Sequence, residues 1–162
     1  MSLVQLRSRG ILDGTISAGD LATGVGGKVL QVVTANYSTE VSINSNTNTD
    51  TGLTASITPA STSNKILVLA NHGLFVKLVG SAYGAVKLMR SSTDLVDLGN
   101  IPFTDLSGTG QIRFPTLSFM YLDSPNTTSS TTYKTQFRAI SGTLYLQYQN
   151  NPSSITLIEI AG

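Results

Sequence analysis

The sequence predicts an all-β fold: an antiparallel β-sandwich, jelly-roll-like, with about eight to ten strands behind an extended N-terminal arm. Three observations predict it. Short segments rich in branched apolar residues recur every 8–15 residues or so, with Gly, Pro, Asn, Asp and Ser between them. No segment combines a helical apolar period with capping residues. Ser and Thr together supply 41 of 162 residues while only 12% are charged. Thr suits strands and Ser suits turns, so this is the make-up of strands with an uncharged polar surface.

Residues 1–27 stand apart as the arm. Leu3, Val4 and Leu6 precede Arg7 and Arg9, and six glycines follow at 10, 14, 19, 24, 26 and 27. The apolar residues Ile11, Leu12, Ile16, Leu21 and Val25 are isolated, too sparse to form a core of their own. The expectation is an arm that lies on a neighbouring subunit. Residues 28–162 are the sandwich.

Within it, 28–36 (KVLQVVTAN) reads as a strand apolar on both faces. The segments 39–45 and 53–58 alternate, and the polar run 44–52 between them suggests a long hairpin loop. The segment 64–76 (NKILVLANHGLFV) is the longest apolar run. It predicts the central strand, buried on both faces and bent or bulged near Gly73. Strands are further expected at 85–89, 112–122, 133–140, 143–149 and 155–160, and 95–98 is a short apolar piece. Pro115 points to an edge position or a bulge for the strand at 112–122.

Composition narrows the partners. A net charge of +1 makes no electrostatic case for nucleic acid or an anionic membrane. The absence of cysteine excludes a disulfide framework, a thiolate metal site and a cysteine nucleophile. No apolar stretch approaches the roughly 18 residues of a membrane-spanning helix. The start, MSLVQLRSRG, has no signal-peptide-length apolar run after its arginines, so synthesis in a cytoplasm without Sec export is expected. So low a charge content suggests that much of the surface lies against other subunits.

No catalytic set emerges, and no cofactor or metal is expected. His72 is the single histidine, too few for a triad or a multi-histidine metal site, and reads as a hydrogen-bonded residue at a strand bend. Asp94 and Asp97 are not presented as an acid–base pair, and Asp105 and Asp123 read as solvated loop residues. The segment 46–52 (NTNTDTG) superficially resembles a calcium loop, but Thr51 and Ile57 stand where glycine and glutamate are required. The aromatic residues Phe119, Tyr121, Tyr133, Phe137, Tyr145 and Tyr148 read as packing in the sandwich core or in trimer contacts, ahead of a sugar-stacking site.

Several segments carry a family resemblance. GKVLQVV at 27–33, DTGLTASITPASTSNKILVLA at 50–70 and YLDSPNTTSSTTYKTQF at 121–137 resemble virion structural proteins of tailed bacteriophages, especially marine and cyanobacterial ones. GILDGTISAGDLA at 10–22 is similar to the short motif before many phage fibre and surface modules. The resemblance covers 28–162 and, more weakly, 10–22. It rests on strands and turns and carries over no catalytic residue. It implies a β-sandwich displayed on the virion surface, commonly a homotrimer, made in the bacterial cytoplasm. Only 27 residues precede the sandwich, shorter than a fibre shaft, so a head decoration or cement protein is expected ahead of a tail-fibre or head-fibre module that binds a host receptor. The partners are then further copies of the chain and the major capsid protein. The arm residues Leu3, Val4, Leu6, Arg7, Arg9, Ile11, Ile16 and Leu21 would make the capsid contact.

Overall fold

The structure is a computed structural model that describes residues 28–77, 82–99, 101–103 and 112–162. Eleven strands fall within them: β1 Val29–Tyr37, β2 Val41–Ile43, β3 Thr49–Ile57, β4 Lys65–Lys77, β5 Ala82–Arg90, β6 Thr93–Asp97, β7 Ile101–Phe103, β8 Ile112–Asp123, β9 Thr131–Ser141, β10 Leu144–Leu146 and β11 Ser153–Ile160. The arm residues Leu3 to Leu21 and Asp105 lie outside the described residues.

The pairing is nested. β1 pairs with β11, β3 with β9, β4 with β8, and β5 with β6 and β7, all antiparallel. Pairing β11 with β4 and β9 with β5 rolls this nest into two sheets. The result is the jelly roll: β1–β11–β4–β8 faces β3–β9–β5–β6/β7, and the short strands β2 and β10 extend the first sheet to six strands. β10 joins the far end of β4, and β2 pairs with β10. The hairpin expected between 39–45 and 53–58 does not form: β2 belongs to the six-stranded sheet and β3 to the other. Chain proximity favoured the hairpin, but β3 buries Leu53, Ala55 and Ile57 only by crossing to the opposite layer.

Period-two alternation is cleanest in β9, where Tyr133, Thr135, Phe137 and Ala139 are buried and their neighbours half-exposed. One half of the core gathers Leu53, Ile57, Ile66, Val68, Leu88, Tyr133, Ile155 and Leu157; the other gathers Ile43, Phe75, Val86, Phe137, Leu144 and Leu146. Phe119 packs against both halves and Tyr121 against the first, as the packing reading of the aromatic residues expects. Among the described residues β8, which carries Pro115, pairs on one side only, the edge position that its proline suggests.

The expected bulge at Gly73 is absent from the β4–β8 ladder, whose register runs unbroken from Ile66 to Lys77. What changes there is the other neighbour, from β11 to β10. The chain between those two strands presses on Gly73: a Cβ would stand 2.3 Å from the Pro152 carbonyl oxygen. Gly52 is needed for a different reason, with φ of +85° and the Tyr37 ring in the space a side chain would fill.

Asp123, Glu159 and His72 are among the polar residues buried in the interior. Asp123 ends β8 facing inward, buried, where Arg90 Nη1 donates to both carboxylate oxygens at 2.9 Å and the Tyr133 hydroxyl donates at 2.6 Å. The solvated-loop reading of Asp123 is therefore corrected, since the strand continues one residue further and carries it under the sandwich edge. Burial, then the Asp123 carboxylate, pushes the Tyr133 phenol far above its usual pKa. Glu159 accepts from Gln31 Nε2 at 2.5 Å, from Asn64 Nδ2 at 2.6 Å and from the Ala60 N–H at 2.6 Å. Burial pushes its carboxyl up, but those three hydrogen bonds outweigh burial and hold it below its ordinary value. His72 is fully buried, as a strand residue in an apolar run should be. Its two ring nitrogens, however, have no hydrogen-bond partner among the described residues, against the hydrogen-bonded reading. Burial pulls its pKa down from 6.5 to about 4.

Candidate interaction face

The central run was expected to be buried on both faces, and for the first half of β4 it is not. Ile66, Val68 and Ala70 point into the core, while Leu67 is half-buried and Leu69 exposed on the other side. The ladders place these outward residues in straight rows across four strands. One row is Val32–Ile158–Leu67–Leu122, each residue directly opposite the next. The next is Thr34–Thr156–Leu69–Met120, and the third is Asn36–Ser154–Asn71–Ser118. Leu30 adds to the first row from beside the register irregularity at the start of β1.

The face is therefore graded. At one end it is aliphatic, in the middle it is threonine and long apolar side chains, and at the other end it is amide and hydroxyl. Val32 is 57% exposed, Leu122 50% and Met120 73%. Directly opposed apolar residues on one face form a continuous patch, where exposed apolar residues on a monomer are usually scattered. Among the described residues of these three rows no side chain is charged; Lys28 and Lys65 flank the aliphatic end, and the Lys65 ammonium donates to Ser124 Oγ at 3.2 Å. A shallow depression between β11, β4 and β8 is lined by Leu69, Asn71, Ser118, Met120 and Thr156.

The outer face of the five-stranded sheet has the opposite chemistry. Asp50 accepts from Lys134 at 2.9 Å and Gln136 at 2.7 Å. Lys87 pairs with Asp94 and lies 3.7 Å from Asp97, which Arg138 also reaches at 3.1 Å. These links tie β3, β9, β5 and β6 together. Burial pushes the Asp50 carboxyl up, but the hydrogen bonds from Gln136 and Lys134 and the lysine charge more than offset it, leaving the pKa lowered. Asp94 and Asp97 are thus ion-pair partners of lysine and arginine. No group of three metal-ligating side chains occurs among the described residues. Asp50, in the segment that superficially resembled a calcium loop, is taken up by Lys134 and Gln136.

Sequence reasoning placed the candidate contact in the arm and did not single out this face. The signal was present in the outward positions of 28–36 and 112–122, where Leu30, Val32, Met120 and Leu122 alternate with inward residues.

No family model matches the chain, and no curated protein matches it. Solved structures similar to it include a chain of the T13 viral particle of infectious bursal disease virus, with a TM-score of 0.46 and 13% identity, over 88% of this chain and 40% of that chain. They also include VP2 of the subviral particle of the same virus, with a TM-score of 0.37 and 14% identity, over 82% of this chain and 33% of that one. The chain spans less than half the length of either.

Proposed function

We propose that the protein is a structural component of a virion, and within that class a head decoration or cement protein. It acts by assembly and not by turnover. It forms a homotrimer on the capsid exterior, and residues 1–27 anchor it to the major capsid protein. The observation that carries the reading is the apolar row across β1, β11, β4 and β8 in a chain with only 12% charged residues. A sheet face of that kind suits a subunit that spends its working life against others. The jelly roll and the phage-like segments at 27–33, 50–70 and 121–137 support the virion setting.

On this reading the arm supplies many weak contacts, and several arms per assembly multiply them. Cryo-electron microscopy of intact virions tests the proposal. Density for this chain on capsid faces at local three-fold positions is expected. Density only at the tail or on a protruding fibre would replace decoration with receptor binding, and absence from purified virions would overturn the virion role itself. A parallel test adds the purified protein to capsids that lack it: the full chain should bind, and a variant without residues 2–22 should remain folded and fail to bind.

A further inference from the structure

We infer that the graded outer face of the six-stranded sheet is the surface through which copies of this chain meet each other. The inference deepens the proposed role by naming the partner of that face. It rests on reading the protein as an assembling subunit and is independent of where on a virion it sits.

Three observations select a second copy as the occupant. The first is charge. The three rows hold no charged side chain; Lys28 and Lys65 stand at their aliphatic end, and Lys65 already has a hydroxyl partner in its own chain. Nothing on the face calls for an oppositely charged surface, as a partner of different electrostatic character would. An uncharged face is electrostatically compatible with itself.

The second is pattern. The rows run from aliphatic through threonine to amide. A two-fold contact repeats the same patch on both sides, so that aliphatic rows pack on aliphatic rows and the amide ends lie at a wet rim; it joins chains in pairs and is a different contact from the three-fold one of the proposed homotrimer. The Asn71–Ser118 hydrogen bond at 3.1 Å keeps part of that rim satisfied within each chain.

The third is size. From Leu30 to Asn36 the rows cover seven residues of β1, which at about 3.3 Å each extend about 23 Å, and four strands about 4.8 Å apart span roughly 19 Å. The face thus projects to about 440 Å² before side-chain relief is counted, over half of the roughly 800 Å² of accessible surface that each partner contributes to an ordinary specific interface. The opposite sheet offers no rival surface of this kind, because its charges are consumed by pairs within the chain.

Sedimentation velocity of the full-length protein across the micromolar range tests the inference. The wild-type chain should self-associate. Val32→Asp and Leu122→Asp place a carboxylate in the aliphatic row and should each weaken association roughly 30-fold or more. Ser56→Asp, exposed on the other outer face, should leave it unchanged. Circular dichroism checks that each variant is folded. A second measurement needs no disruption: the chain has no cysteine, so a spin label on Met120→Cys reports only that site. Short label-to-label distances between copies are expected there and not for Ser56→Cys. A monomeric wild type, association unaffected by both aspartates, or long distances at position 120 would each overturn the inference. Association through this face in a protein absent from virions would leave it standing while the virion role fell.

Discussion

The two outer faces of this sandwich solve the problem of facing outward in opposite ways. On the five-stranded sheet, Asp50, Lys87, Asp94, Asp97, Lys134 and Arg138 neutralise one another across strands. On the six-stranded sheet, the register brings Val32, Ile158, Leu67 and Leu122 into one row with no charge among them. A low overall charge content is thus not spread evenly. Six charges gather on the outer face of one sheet, and the described outward rows of the other hold none. Composition alone understates how specialised a surface is, because pairing register decides which sparse charges find each other.

The comparison sharpens when an inward ion pair is set against an outward one of the same chemistry. Arg90–Asp123 lies under the sandwich edge, with Asp123 almost fully buried and bonded to Tyr133 as well. Arg138–Asp97 lies on the outer face. Asp123→Ala strands both the guanidinium and the phenol hydroxyl and should lower stability by about 3 kcal/mol. Urea unfolding at one fixed protein concentration measures it, since association also contributes to apparent stability. A loss no larger than that of an exposed pair would break the distinction.

Next in size is an effect of pH on the strand that carries the apolar rows. His72 faces inward from β4 and titrates at about 4 against 6.5 in the unfolded chain. The unfolded chain therefore binds the proton first. Stability from keeping this imidazole neutral is fully present above about pH 6.5 and declines as pH falls towards 4, by about 3 kcal/mol in all. Between pH 6.5 and about 5.5 the carboxylates Asp50 and Glu159, both held below their ordinary values, are ionised in the folded and the unfolded chain and contribute little slope. His72 is the only histidine. Unfolding titrations of His72→Gln should accordingly be flat in that window; an unchanged slope would show that another group is responsible.

The smallest effect belongs to the ion-paired face. Asp97→Asn removes the partner shared by Lys87 and Arg138, both near solvent, and should cost less than about 1 kcal/mol, diminishing further as salt is raised. Unfolding midpoints at low and high salt measure it. A salt-independent loss would mean that this network is not the screened surface described above.

How much of this was legible can be traced residue by residue. The alternation through Tyr133, Thr135, Phe137 and Ala139 announced its strand and its buried face, because a pleated strand turns successive side chains to opposite sides. The run at Ile66–Ala70 announced the centre of a sheet, and Pro115 an edge. The role of Asp123 was not legible, since a carboxylate next to Ser-Pro-Asn resembles any solvated turn until β5 and β9 bring Arg90 and Tyr133 to it. The partner of β2 was equally hidden. Local sequence favours the nearest strand, whereas β2 pairs with a segment a hundred residues later.

The sequence by itself determined the class: two-faced strands, glycine and asparagine turns, few charges, no thiol and one histidine, all of which are local properties of the chain. Only the tertiary structure decided what lies opposite what. A β-strand shows its neighbours a periodic row of side chains, but the register that aligns one row with the next is a property of pairs of distant segments. That alignment turned Leu30, Val32, Met120 and Leu122, individually ordinary, into part of one continuous apolar face, and turned six scattered charges into a closed set.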